Sequence, residues 1–382
     1  MTAAGKSGEP PRADGFAVTP WMDWLGGWIE RNPALWLRLG RLESRLLSDD
    51  LADRPVRRPI YVAGLARAGT TILLEVLARH PDLASHRYKD FPPIFTPYVW
   101  NRLLERMPQK TAAATERAHK DGIAVTPDSP EALEEPIWMA FFRHLHDPAH
   151  VHTLDGRTAN PAFERFYRLH IGKLVRVRGG ERYLAKGNYN LTRLQYIQKL
   201  FHDARFVVPV RRPEWHIASL MKQHRLFNEG VGRHPKAAAH LRRVGHFEFG
   251  PDRRAVNVDP RVNETVRRAW AEGREVEGWA RYWASLYGDL ADRLETDAGL
   301  REATLVVRYE DLCDSAAETL SRVFAHCGLA DEAGLIAAQA KQMRAPTYYR
   351  PDFTAEERRL IADLTAPVVA RFGYVAETTH AA

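Results

Sequence analysis

Cysteine is nearly missing from this 382-residue chain: Cys313 and Cys327 are its whole complement. Their spacing suits neither a disulfide framework nor a thiolate metal site, so a reducing compartment is expected and the chain is read as cytoplasmic. Long apolar runs are missing too. No stretch of about eighteen uncharged apolar residues occurs, and Met1 to Arg12 lacks the apolar centre of a secretory leader. No transmembrane segment is expected. Acids are in deficit, with 48 Asp and Glu against 55 Lys and Arg and a net charge of +7. The basic surplus is spread along the chain, which suits anionic ligands without choosing among them, and no nucleic-acid partner is expected. Repeats of solenoid period are also absent. What is present is a globular balance, 45% hydrophobic and 27% charged, enough for a substantial core. One large domain with appendages is the simplest organisation.

Residues 1 to 18 are rich in Gly, Pro and Ser and read as a disordered tail. Trp21, Trp24, Leu25, Trp28 and Ile29 then recur at helical spacing, Pro33 interrupts, and Leu35, Leu39, Leu42 and Leu46 resume the pattern, predicting a pair of amphipathic helices. Their tryptophans suit packing on the domain first, and peripheral membrane contact or a partner subunit, a homo-oligomer included, second. The tail and helices make up residues 1–57, and the principal domain runs over 58–376. PIYVAGL followed by TTILLEVLARHP reads as strand, turn and helix. RYLAK (182–186), RFVVPVRRP (205–213) and TLVVRYEDL (304–312) read as further buried strands, each leading into a helix. Their continuous apolar character predicts an α/β fold with a central parallel sheet covered on both faces. Residues 220–277 turn polar and form a mostly helical insertion, a candidate lid or acceptor-binding region.

Gly64-Leu65-Ala66-Arg67-Ala68-Gly69-Thr70-Thr71 has the G-x-x-x-x-G spacing of a P-loop and stands between strand and helix. Inward N–H groups and the helix N-terminus make such a turn an anion cradle. Thr70 occupies the place where triphosphate enzymes carry lysine, which argues against a triphosphate. Arg67 and the Thr70 and Thr71 hydroxyls supply further donors. Downstream, Arg211 ends an apolar strand and Ser219 follows eight positions later. The pair converges if a helix starts at Pro213, offering a bidentate fork and a directional hydroxyl to a phosphate.

Together GLARAGTTILLEVLARHPDL and the Arg211 to Ser219 segment resemble sulfotransferases that use 3'-phosphoadenosine 5'-phosphosulfate (PAPS), in their bacterial branch. The resemblance runs from about Pro59 to Tyr374. It implies a P-loop-like three-layer fold, PAPS as co-substrate with no metal requirement, and a nucleotide held by Arg67, Ala68, Gly69, Thr70, Thr71, Arg211 and Ser219. Ala68 departs from the family's usual serine, and the R-K-G-x-x-G element of the cytosolic small-molecule enzymes is missing. VVRYEDL and the segment from Arg344 to Tyr374 resemble structural parts of the same family. Acceptors of the small-molecule, glycan and lipid classes remain open.

By the same resemblance Lys186 contacts the sulfuryl group. For the general base, the resemblance points to the window after His80-Pro81, whose carboxylate is Asp90, with His86 a competitor. Glu134 and Glu135, on a helix expected to begin after Ser129, are further choices, of which at most one faces a cleft. Phe91, Phe95, Tyr98, Trp100 and Trp138 are candidate acceptor contacts. The alternatives to this reading are a P-loop-like nucleotide kinase and a non-catalytic nucleotide-binding module.

Overall fold

The computed structural model describes residues 15–53, 55–108, 114–345 and 349–374. Most of the expected tail, residues 1–14, and the end of the principal domain at 375–376 lie outside the described residues. Three helices come first, α1 (Pro20–Arg31), α2 (Pro33–Leu46) and α3 (Ser48–Asp53), followed by β1 (Ile60–Val62), α4 (Thr70–Leu77), β2 (Leu83–Ala84) and α5 (Pro97–Arg106). A short hairpin, β3 (Thr115–Glu116) and β4 (Ala124–Val125), precedes α6 (Glu135–Phe141), α7 (Pro161–Arg178), β5 (Arg182–Lys186), α8 (Leu194–Leu200) and β6 (Arg205–Val210). Then come α9 (Pro213–Arg233), α10 (Pro235–Arg243), α11 (Pro260–Ala271), α12 (Glu275–Thr296), α13 (Ala298–Ala303) and β7 (Thr304–Arg308). The chain closes on α14 (Tyr309–Asp314), α15 (Ala316–Cys327), α16 (Leu335–Ala340) and α17 (Ala355–Val369).

Proline at the first turn opens α1, α2, α5, α6, α7, α9, α10 and α11. There its missing N–H costs no hydrogen bond and its fixed φ already suits the helix. The expected central sheet is present, five parallel strands in the order β2-β5-β1-β6-β7 with helices on both faces. Tyr61 and Phe206 pack into one buried layer, and Ile60, Val62 and Val207 into the other, so both faces of the sheet are dry. That explains strands that read as unbroken apolar runs.

Helix α6 begins later than expected, at Glu135 rather than after Ser129. Pro130 has no N–H, and it bridges Arg87 while Glu131 N–H donates to His86 O at 2.9 Å. The backbone before Glu135 is therefore paired with another segment and is not available for a helical turn. Residues 15–18, counted with the disordered tail, are placed: Phe16 is buried edge-on against Phe227 at 5.0 Å. The polar stretch 220–277 begins inside α9, which continues unbroken to Arg233, and includes α10 and α11.

Candidate active site

β1 ends at Val62, and the turn that follows is shaped by its neighbours. A Cβ on Gly64 would lie 3.0 Å from Pro209 O, and one on Gly69 would lie 2.8 Å from the Tyr309 ring. Gly69 also adopts φ 103°, a left-handed value that glycine reaches without steric cost. Arg67 has φ 73°, uncommon for a residue with a Cβ. Neighbouring elements hold that conformation. His216 of α9 lies 2.8 Å from Ala66 O through Nε2, and Trp283 of α12 donates to His216 Nδ1 at 3.2 Å. Because Trp283 can only donate, Nδ1 must accept and Nε2–H donates to the loop, which fixes a neutral tautomer. Burial pushes the His216 pKa down to about 3, in keeping with that assignment.

The two expected nucleotide motifs meet here. Arg67 Nε donates to Ser219 Oγ at 3.3 Å, and Arg211 Nη1 reaches Arg67 O at 3.4 Å. Arg211 stacks on Tyr309 at 4.4 Å, and its buried Nε has no hydrogen-bond partner. Thr70 and Thr71 open α4, Thr70 facing Asn188 Oδ1 at 3.5 Å. Ala68, by contrast, is fully buried and lends the site only its backbone.

Sequence reasoning missed the segment after β3, which covers the turn. Arg67 Nη1 pairs with Asp121 Oδ2 at 2.6 Å, and Arg117 donates to Asp121 and, at 3.3 Å, to Thr71 Oγ1. Burial alone would raise the Asp121 carboxyl, yet Arg117 and Arg67 hold it well below the usual range. The i, i+4 spacing of Arg117 and Asp121 in a non-helical stretch carried no signal that these groups return to the P-loop-like turn.

Lys186 ends β5 in register with Val62, and Gly187 N–H donates to Val62 O at 3.0 Å. This places the lysine directly beside the start of the turn. Burial lowers its pKa; the Glu131 charge opposes this, Arg117 adds to it, and Glu248 and Arg67 act more weakly in opposite senses. Lys186 lines an open cleft of about 380 Å³ together with Arg67, Thr70, Thr71, Arg117 and Glu131. Pockets for one small ligand run to about 300–1,000 Å³, and this cleft lies within that range.

The proposed bases separate. Asp90 is fully buried and lines no part of this cleft. It accepts from Arg178 at 2.5 Å, Asn101 at 3.0 Å and Arg87 N–H at 2.9 Å, and lies 3.2 Å from His86. His86 is likewise enclosed, with its other ring nitrogen 3.1 Å from His170. Glu135 touches the cleft but is gripped by Arg193 through two bonds of 2.8 Å and by His146 at 2.6 Å. Its carboxyl, which burial would raise, is drawn down to about 2 by those partners. Glu134 lines the cleft as well, so both carboxylates reach it where at most one was expected; it accepts from Tyr167 at 2.5 Å and Tyr183 at 2.6 Å through one oxygen, while its buried Oε2 is unpartnered. Burial raises its pKa. Glu131, a few residues before them and not among the expected bases, is half-buried in the cleft and exerts the largest charge effect on Lys186. Of the aromatic candidates only Phe91 lines the cleft; Phe95 and Trp138 belong to the core. Among the described residues, the grouping with metal-ligand spacing, His144, Asp147 and His150, lines no part of it.

A sulfotransferase family model matches residues 59–255, just over half of the chain and the part that holds both nucleotide motifs, Lys186 and Glu131. The chain belongs to the sulfotransferase family. Among solved structures this family member is similar to a sulfotransferase from Mycobacterium avium, with a TM-score of 0.50 and 15% identity over 88% of this chain and 83% of that one. A sulfotransferase from Mycobacterium tuberculosis H37Rv gives a TM-score of 0.46 and 16% identity over 90% and 86%. At such identities the likeness to the M. avium protein bears on the fold. No curated protein matches the chain.

Proposed function

We propose that this sulfotransferase moves the sulfuryl group of PAPS to a hydroxyl of a small-molecule, glycan or lipid acceptor. The observation that carries the reading is the convergence of Arg67, Arg211 and Ser219 on one glycine-rich turn that has Thr70 in place of a triphosphate site's lysine. The unpartnered Arg211 Nε is a buried donor that a phosphate oxygen would satisfy. Lys222, one turn after Ser219, has its pKa lowered by burial and by the charge of Arg67, so like charges crowd here and favour an anion between them. Loop N–H groups and the Thr70 and Thr71 hydroxyls would hold the 5'-phosphate, and Arg211 and Ser219 the 3'-phosphate.

Bound PAPS supplies an activated sulfuryl group whose transfer leaves adenosine 3',5'-bisphosphate. Lys186 is the positive charge placed to balance negative charge gathering on the leaving phosphate oxygen, in a half-dry site where that attraction is strengthened. Glu131 is the carboxylate placed to accept the acceptor's hydroxyl proton as the new O–S bond forms. His119 also lines the cleft, but burial drives its pKa far below the ordinary value, which makes it a poor base. Calorimetry tests the donor: adenosine 3',5'-bisphosphate binds without added metal and more tightly than ATP. Tighter, Mg²⁺-dependent ATP binding would sink the reading and favour a kinase. Lys186→Ala lowers kcat far more than nucleotide affinity, and an unchanged kcat removes Lys186 from catalysis.

A further inference from the structure

Among the described residues, ten large apolar side chains are exposed, and nine of them lie on α1, α2 and α5 or the C-cap of α5. Trp21, Trp24 and Trp28 stand on α1, Trp24 with 65% of its surface in solvent; Leu46 on α2 is 75% exposed. Side-chain seams join the helices into one face. Trp21 stacks on Trp100 of α5 at 6.4 Å, Trp28 meets Trp36 of α2 edge-on at 5.4 Å, and Val99 N–H of α5 donates to Glu43 of α2 at 2.6 Å. An apolar area so concentrated marks an interaction surface.

The charge on these helices chooses the occupant. Asp23 and Glu30 of α1 are taken up by Arg243 and Lys236 of α10, and Glu43 is buried against Lys173. Arg38, Arg41 and Arg45 recur along α2, exposed and without an ion pair among the described residues. What remains uncompensated is positive charge beside tryptophan and leucine. That combination fits the headgroup layer of an anionic bilayer, where indoles rest at the boundary and arginines meet phosphates. In a two-fold contact with a second copy of the chain, the arginine row would face its own like.

The face also adjoins the cleft. Met22, next to Trp21, lines it, as do Phe91 and Leu241. We propose that the α1–α2–α5 face docks on an anionic lipid surface and that the cleft draws its acceptor hydroxyl from an amphiphile in that bilayer. The docking stands on the surface alone; the acceptor class rests on the proposed sulfuryl transfer.

Flotation of the full chain with vesicles of phosphatidylglycerol and phosphatidylcholine in equal parts, and of phosphatidylcholine alone, tests the docking. The chain floats with the anionic vesicles, its tryptophan emission shifts to the blue, and added salt releases it. The triple variant Arg38→Gln, Arg41→Gln, Arg45→Gln binds about a hundredfold more weakly, at roughly a fivefold loss per arginine near a charged surface. Trp24→Ser, at a site with few contacts to lose, weakens binding and reduces the blue shift, which Trp21 and Trp28 still report. Adenosine 3',5'-bisphosphate binding by both variants shows that they are folded. Failure of the wild-type chain to float with anionic vesicles overturns the docking, as does a dimer in sedimentation velocity that Trp24→Ser dissociates. Loss of nucleotide binding in the wild-type chain would instead sink the proposed function and leave the docking intact.

Discussion

Glu131 and Asp90 lie in segments that run side by side, with Tyr88 N–H donating to Ser129 O and Glu131 N–H to His86 O. Their surroundings set them apart. Asp90 has every oxygen engaged and no surface exposed, so removing its charge leaves Arg178 buried without its anion. Asp90→Ala is therefore expected to cost about 3–5 kcal/mol of stability in chemical denaturation, while kcat per folded molecule stays within a few fold. Glu131 faces the cleft and acts on Lys186. Glu131→Gln is expected to lower kcat by about 10²–10⁴, the usual contribution of a positioned base, without changing adenosine bisphosphate affinity. A kcat that survives Glu131→Gln would return the role to another cleft carboxylate such as Glu134, whose Oε2 is unpartnered. The distinction was invisible in spacing, because Asp90 sat where a base is looked for and nothing in the sequence announces Arg178 and Asn101 beside it.

At the scale of elements, the phosphate turn and its helix were legible because glycine punctuation and helical periodicity are local properties. Strands β5, β6 and β7 were legible for a similar reason, since burial on both faces leaves an apolar run. The hairpin β3–β4 was not, being two residues to a strand and held by Arg117 reaching across to α4 and Asp121 to Arg67. The start of α6 was misplaced because a bridge to Arg87, a distant partner, consumes the backbone that periodicity would give to the helix. His216 belongs with these non-local effects, joining α9 to the turn and α12 to both. His216→Ala leaves Ala66 O unmet and is expected to weaken nucleotide binding by about 1–3 kcal/mol, read by calorimetry. Its folded pKa lies below the ordinary 6.5, so its contribution to stability is complete above that pH and declines as pH falls from 6.5 toward 3. The acid limb of a denaturation profile should flatten in the variant over that window.

For the molecule as a whole, nucleotide and fold are linked. A ligand that binds only the native chain stabilises it by about 2.7 kcal/mol at a hundred times its dissociation constant. Adenosine 3',5'-bisphosphate is thus expected to raise the thermal midpoint in proportion to the logarithm of its concentration, and Arg211→Ala to remove most of that rise. The parallel sheet order carries Lys186 to the side of β1 opposite β6, so the phosphate turn is flanked by two strands that both lie far beyond β1 in the chain. Arg67 leans on residues 121 and 219, Ala66 on residue 216 and Gly69 on residue 309. A site whose walls come from so many distant segments has no partial version: a growing chain gains nucleotide affinity only after Tyr309 has been added and packed. A nick that releases any of these segments should abolish affinity in one step, so nucleotide retention counts intact molecules during limited proteolysis.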